Sequence, residues 1–391
     1  MSNHAFVDKC REYRKKLDSG AVSIIDVETT LISNEKYKTV FNNTPEFICA
    51  GILGLSKPET FITENYNIYE GYTTATPRIL SGHNISYDLL IAYSKSLGFS
   101  SKHLFVWDTM LAEYLLSDQV NTGFSLEQAC EFRGITLHKE DEVSQLIKSG
   151  VCPSTIDKAK LHAYLEQDVL MTKELYLKQK AEYDKRSPAW QSMFINQQFF
   201  LLNTLRASCN GMKIDEPFVT KNKLELKDKM TLLECDLTRL MWIISGLHVV
   251  GVWNPGSNAD IGLMLYGGIK KYDERVQIGV YKTGLKVGQP RYKVEKKGYQ
   301  VPFPVIRTHM STSVDEEALK TYLKYASPDA HRKEFIEKLL EYKDVSKDYN
   351  TYYEGYMNFQ KDGFINPKYN HGYTPTGRLT CSKPNLQNIK S

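Results

Sequence analysis

The stretch AVSIIDVETT at residues 21–30 constrains the fold more than any other part of the chain. Its first six residues are an apolar, β-branched run of strand length. In a strand, residues two apart share a face, so Asp26 and Glu28 project together at the end of that run. Two carboxylates held so close repel unless a cation lies between them, and hard divalent ions such as Mg²⁺ take oxygen ligands. Taken alone, such a pair is weak evidence, since most are solvated surface carboxylates. FICAGIL (47–53) is a second strand-length run, so the first part of the chain is expected to be α/β.

Two helical segments carry further acids. SYDLLIAYSKSL (86–97) has helical spacing and stops before Gly98, a fitting C′ glycine. Asn84 is placed to cap it, which puts Asp88 near its first turn, where an acid also complements the helix dipole. Residues 154–183 read as one long helix, opened by Ser154 and Asp157 as a capping box. On that helix Tyr164 and Asp168 are four apart and share a face. An ordinary amphipathic helix with a packed Tyr and a solvated Asp has the same spacing.

The order and spacing of these pieces carry more than any one of them. DxET on a strand, NxxxD opening a helix and YxxxD on a later helix resemble the three exonuclease motifs of the DEDD superfamily, tyrosine subclass. FVWDTMLAEYLL (105–116) resembles that family's connecting segment. The resemblance covers roughly residues 20–180. It implies a ribonuclease H-like domain, a mixed central sheet with flanking helices, that removes nucleotides from 3′ ends. Asp26, Glu28, Asp88 and Asp168 would hold two divalent ions, Mg²⁺ or Mn²⁺. Tyr164 would orient the attacking water, because a phenol is a poor base near neutral pH.

The net charge of the whole chain is only +4. Residues 270–307, however, hold ten Lys or Arg against three acids, a local +7 that leaves −3 for the rest. Short alternating stretches broken by Gly and Pro read there as a basic β-hairpin. Its cations Lys282, Lys286, Arg291, Lys293, Lys296 and Lys297 suit a phosphate backbone, or simply a solvated surface. Composition is otherwise ordinary, at 41% hydrophobic and 25% charged residues. No apolar run approaches the roughly 20 residues of a membrane helix, so no membrane partner is expected. The amino terminus has no apolar signal core, and seven scattered cysteines read as reduced thiols of a cytoplasmic protein, host cytoplasm if viral.

HGYTPTGRLTCSKPNLQNIK (371–390) closely resembles the TGRL…PNLQNI signature of family A DNA polymerases. RASCNGMKIDEPFV (206–219), VWNPGSNADIGLMLY (252–266), STSVDEEALKTYL (311–323) and EYKDVSKDYNTYYEGY (341–356) resemble that family's thumb and the approach to its palm. The resemblance implies a primer–template grip. Thr376, Gly377 and Arg378 would lie near the primer end, with Arg378 in the minor groove. Asn385, Gln387 and Asn388 would line the same surface, and Lys347, Thr351 and Tyr352 would touch backbone. Pro375 and Lys390 depart from the family's usual small residue and proline.

The expected organisation is therefore a 3′→5′ exonuclease domain at 1–187 and a mainly helical thumb at 188–350 with the hairpin inserted at about 267–308. The start of a palm follows at 351–391. SerPro at 187–188 is taken as the first boundary. A compact virus-type polymerase, or one encoded in two pieces, suits the absence of palm carboxylates downstream of PNLQNI. The expected partners are single-stranded 3′ ends, primer–template duplex and a C-terminal fragment carrying palm and fingers. Rival readings are a free-standing 3′→5′ processing exonuclease and a non-catalytic DNA-binding polymerase subunit.

Overall fold

The computed structural model describes residues 3–32, 36–57, 59–75, 78–93, 105–136, 141–303, 313–326 and 328–389. The expected helix stop at Gly98, the hairpin limit at 308 and Lys390 lie outside these. The chain forms two compact units, one of residues 1–214 with 356–391, the other of residues 215–355.

The first unit is mixed α/β. Its elements are α1 (Asn3–Asp18), β1 (Val22–Thr29), β2 (Phe47–Gly54), β3 (Phe61–Thr63), α2 (Tyr66–Ala75), β4 (Ile79–Gly82) and α3 (Ser86–Tyr93). β5 (Phe105–Asp108), α4 (Thr109–Leu116), α5 (Leu126–Phe132), α6 (Asp141–Lys148), α7 (Lys158–Tyr183), α8 (Pro188–Asn210) and β6 (Met212–Lys213) follow. Five strands make one sheet in the order β3-β2-β1-β4-β5. β1 runs antiparallel to β2 and parallel to β4, so the strand bearing Asp26 and Glu28 is central. A central strand is covered on both faces, which is why Val22–Ile25 are all buried. α7 packs across β1 and β2, and α8 against β5. Trp107 of β5 is fully buried among Tyr176, Tyr183 and Phe194.

Several local expectations change. The long helix opens at Lys158, not Ser154: Asp157 caps it by accepting the Lys160 N–H at 3.1 Å, and Ser154 lies in a separate 3₁₀ turn. Ser187–Pro188 marks a helix start. Ser187 accepts the Trp190 N–H and Pro188 takes the first turn, where a missing N–H costs nothing. α8 then places Phe194, Ile195, Phe199 and Leu202 in the first unit's core. Asn84 acts through its backbone: it adopts φ 58° and its carbonyl accepts the Tyr87 N–H.

The second unit contains α9 (Glu216–Ser245), α10 (Asn258–Tyr266), β7 (Gly268–Val280), β8 (Pro290–Val301), α11 (Glu316–Tyr325) and α12 (Ala330–Lys347). On α9 the buried stripe is Leu233, Leu237, Leu240, Met241 and Ile244, while Leu224 is 59% exposed. α11 and α12 are each opened by their own cap, Asp315 and Asp329. β7 and β8 form the expected hairpin.

In the returning segment of the first unit, β9 (Phe364–Ile365) pairs with β6, and β10 (Lys368–Asn370) pairs with β11 (Thr380–Ser382). Tyr114 Oη donates to the Thr374 carbonyl at 2.9 Å, and His371 Nε2 lies 2.6 Å from Thr204 Oγ1.

Candidate functional site

Carboxylate oxygens of Asp26, Glu28 and Asp168 lie within 4.8 Å of one another. β1 supplies the first two by its two-residue period and α7 the third. In the β1–β2 ladder Asp26 faces Gly51 and Glu28 faces Cys49, and the register shifts immediately after Glu28. Such irregularities re-aim a strand next to functional sites. Asp168 is buried, Asp26 and Glu28 partly so. Tyr164 is buried one helical turn before Asp168.

Asp88 sits on the first turn of α3, 3% exposed, outside that 4.8 Å group among the described residues. Burial, then Asp108 and Glu28, push its carboxyl well above the usual range. Cys49 reports the same field: burial, then Glu28, Glu64 and Asp26, push its thiol up to about 12. A cluster this acidic is poised for a cation, and a set made only of carboxylates suits a hard divalent ion.

Two features had no place in the sequence reading. Asp108 is fully buried and accepts the N–H groups of Met110 and Leu111 at 2.8 and 3.0 Å, capping α4. Burial raises its carboxyl to about 6 against those bonds. Its cap position, an acid directly before an apolar helix, was the available signal. Glu64 Oε1 holds Lys158 Nζ at 2.6 Å and His162 Nε2 at 3.0 Å, a contact between distant segments that no local pattern announces.

The residues expected to grip DNA fall into both units. Thr376, Gly377 and Arg378 form an exposed turn in the first unit; Gly377 has φ 69°, and the Thr374 hydroxyl donates to the Arg378 carbonyl at 3.0 Å. Asn385 accepts the Gln387 N–H at 3.1 Å, and Gln387 and Asn388 are exposed. In the second unit, Lys347 ends α12, and Thr351 and Tyr352 lie in the π-helical turn Asp348–Gly355. The hairpin cations Lys282, Lys286, Arg291, Lys293, Lys296 and Lys297 are all exposed on β8 or the turn before it.

A family model described as DNA polymerase family A matches residues 294–391. DNA polymerase I of Helicobacter pylori strain J99 is 26% identical over 258 residues, 64% of this chain and 23% of that protein. DNA polymerase I of H. pylori strain 26695 is 28% identical over 181 residues, 46% of this chain and 15% of that protein. The chain thus spans less than a quarter of the length of the curated relatives it matches. In fold it is similar to the POL domain of Pol1 from M. smegmatis, solved with primer-template DNA and dNTP. That match has a TM-score of 0.60 and 15% identity, and covers 97% of this chain and 55% of the other.

Proposed function

This chain is related by sequence over residues 294–391, and by fold over nearly its whole length, to family A DNA polymerases, and from that premise we propose that it proofreads and holds DNA during replication. Its first unit is read as a ribonuclease H-like, metal-dependent 3′→5′ exonuclease. The observation that carries this is the approach of Asp26, Glu28 and Asp168 to within 4.8 Å, from a central strand and a helix far apart in sequence. The sheet order with the acidic strand at its centre supports it.

Asp26, Glu28 and Asp168 would hold the divalent ions, with the buried Asp88, whose carboxyl feels the charge of Glu28, outside that group. When bound, Mg²⁺ or Mn²⁺ ions supply an activated water and stabilise the leaving 3′ oxygen. Tyr164 orients the nucleophile, and the product is a nucleoside monophosphate. Arg378, Thr376 and Gly377 with Asn385, Gln387 and Asn388 hold the primer end through phosphate and minor-groove contacts. Lys347, Thr351 and Tyr352 contact backbone.

The test is degradation of 5′-labelled single-stranded DNA by the purified chain with Mg²⁺. The wild type should shorten it from the 3′ end, while Asp26→Ala and Asp168→Ala should be inactive with unchanged circular dichroism. A folded Asp168→Ala variant with most of its activity would overturn the assignment. Strong preference for RNA 3′ ends would favour a processing nuclease instead.

A further inference from the structure

We propose that one face of the β7–β8 ribbon, carried by Lys271, Arg275 and Lys296, binds the phosphate backbone of a nucleic-acid duplex; this rests on the DNA-holding reading above. Residues 268–301 contain nine Lys or Arg against three acids, a net +6. Side chains alternate between the two faces of a strand, and residues paired across the ladder share a face. The pairs Lys270–Tyr299, Tyr272–Lys297, Glu274–Glu295 and Val276–Lys293 define one face. The pairs Lys271–Gly298, Asp273–Lys296, Arg275–Val294 and Gln277–Tyr292 define the other. β7 shows the same division, its first face half-buried and its second exposed.

The two faces differ in how their charge is used. On the first, every cation has a carboxylate partner. Lys270 Nζ lies 2.5 Å from Asp260, Lys293 Nζ lies 3.7 Å from Glu295, and Lys297 pairs with Glu274. Two of the cations expected to meet phosphate, Lys293 and Lys297, therefore already have a carboxylate beside them within the ribbon. On the second face, Lys271, Arg275 and Lys296 have no ion-pair partner among the described residues. Lys271 and Arg275 are four residues apart, about 13 Å along the strand. Lys296 stands between them on the neighbouring strand.

Gly298 opposite Lys271 leaves that position without a side chain. The nearest neighbour of an added Cβ would be Ile269 Cγ2 at 3.5 Å, so a backbone can approach closely there. An open groove of about 870 Å³ takes in Lys271, Lys296 and Gly298. Unpaired cations are costly to bury against a neutral protein surface, whereas a polyanion exchanges its condensed counterions for them. That contrast selects a polyanion as the occupant, and the DNA-holding reading makes that polyanion the duplex.

The experiment measures binding of the full chain to fluorescent primer–template duplex by anisotropy over a range of salt. Each phosphate contact contributes about 0.9 to the log–log slope. The triple variant Lys271→Gln/Arg275→Gln/Lys296→Gln should flatten the slope by about 2–3 and weaken low-salt binding at least tenfold. The double variant Lys293→Gln/Lys297→Gln should change the slope by less than about one. If the wild type shows no salt-dependent duplex binding, the DNA-holding reading itself fails. If the wild type binds steeply and the triple variant matches it, or the double variant falls as far, this inference alone is overturned.

Discussion

A Cβ placed on Gly51 would lie 2.7 Å from Val169 Cγ2 and 3.3 Å from Leu165 Cγ. Gly51 faces Asp26 across the β1–β2 ladder, and Val169 follows Asp168 on α7. The absence of a side chain at one residue therefore sets how closely α7 approaches the sheet. It also sets how near Asp168 comes to Asp26 and Glu28. Val169 is β-branched and fully buried, so it has no room to yield. Gly51→Ala should cost about 1–3 kcal/mol by overpacking. It should slow the exonuclease by roughly 100-fold, because small displacements of reacting groups are expensive. Urea unfolding and single-turnover excision measure the two effects; full activity at an unchanged midpoint would refute the relation.

Tyr164 and the carboxylates should separate kinetically. Tyr164→Phe removes a hydroxyl that orients water but no metal ligand, so excision should slow roughly tenfold to 100-fold. The Mg²⁺ concentration for half-maximal rate should stay the same. Glu28→Gln should raise that concentration, because it weakens an oxygen donor. A shift of the Mg²⁺ requirement in Tyr164→Phe would place the phenol among the ligands.

Glu113 is a buried acid away from the site. Its side chain is 1% exposed and accepts from Arg133 Nε at 2.8 Å, Gln179 Nε2 at 3.1 Å and Asn121 Nδ2 at 3.3 Å. Arg133 also pairs with Glu182, which holds Arg186 at 2.9 Å. Arg133→Met should cost about 3–5 kcal/mol, since it strands a buried charge. Adding Glu113→Gln to that variant should recover much of the loss. Denaturant midpoints decide it, and an Arg133→Met penalty below about 1 kcal/mol contradicts the account.

What the sequence made legible is what short-range periodicity controls. Asp26 and Glu28 share a face because strands repeat every two residues. Tyr164 and Asp168 share one because they are a helical turn apart. The position of Gly51 opposite Asp26 depends on ladder register, which no local window contains. Ser187–Pro188 carries the same residues whether it separates domains or opens a helix; only the packing of Phe194 and Phe199 decides. On the ribbon, counting cations gave the sign of the charge. The strand pairing decides which of them, such as Lys297 beside Glu274, already have a carboxylate partner.

His371 should make the first unit acid-sensitive. Burial pushes its imidazole down from the usual 6.5 to about 4. Thr204 Oγ1 donates to the Leu201 carbonyl at 2.9 Å, so it accepts from His371 Nε2–H at 2.6 Å, and the Phe200 ring lies edge-on at 5.2 Å. The folded chain thus favours the neutral ring, while the unfolded chain protonates near pH 6.5. The unfolded state binds more protons throughout the interval between these values, so stability falls as pH drops through it. The contribution is fully present above about pH 6.5 and lost by about pH 4, a change of about 3 kcal/mol. The Thr374 carbonyl, three residues on, is held by Tyr114, so loosening here reaches the turn that carries Arg378. His371→Gln cannot titrate and should show a flatter stability profile than wild type between pH 4.5 and 7. Urea unfolding at each pH gives the difference, which cancels carboxylate titrations common to both proteins. Parallel profiles would mean that His371 is not the group through which acid acts.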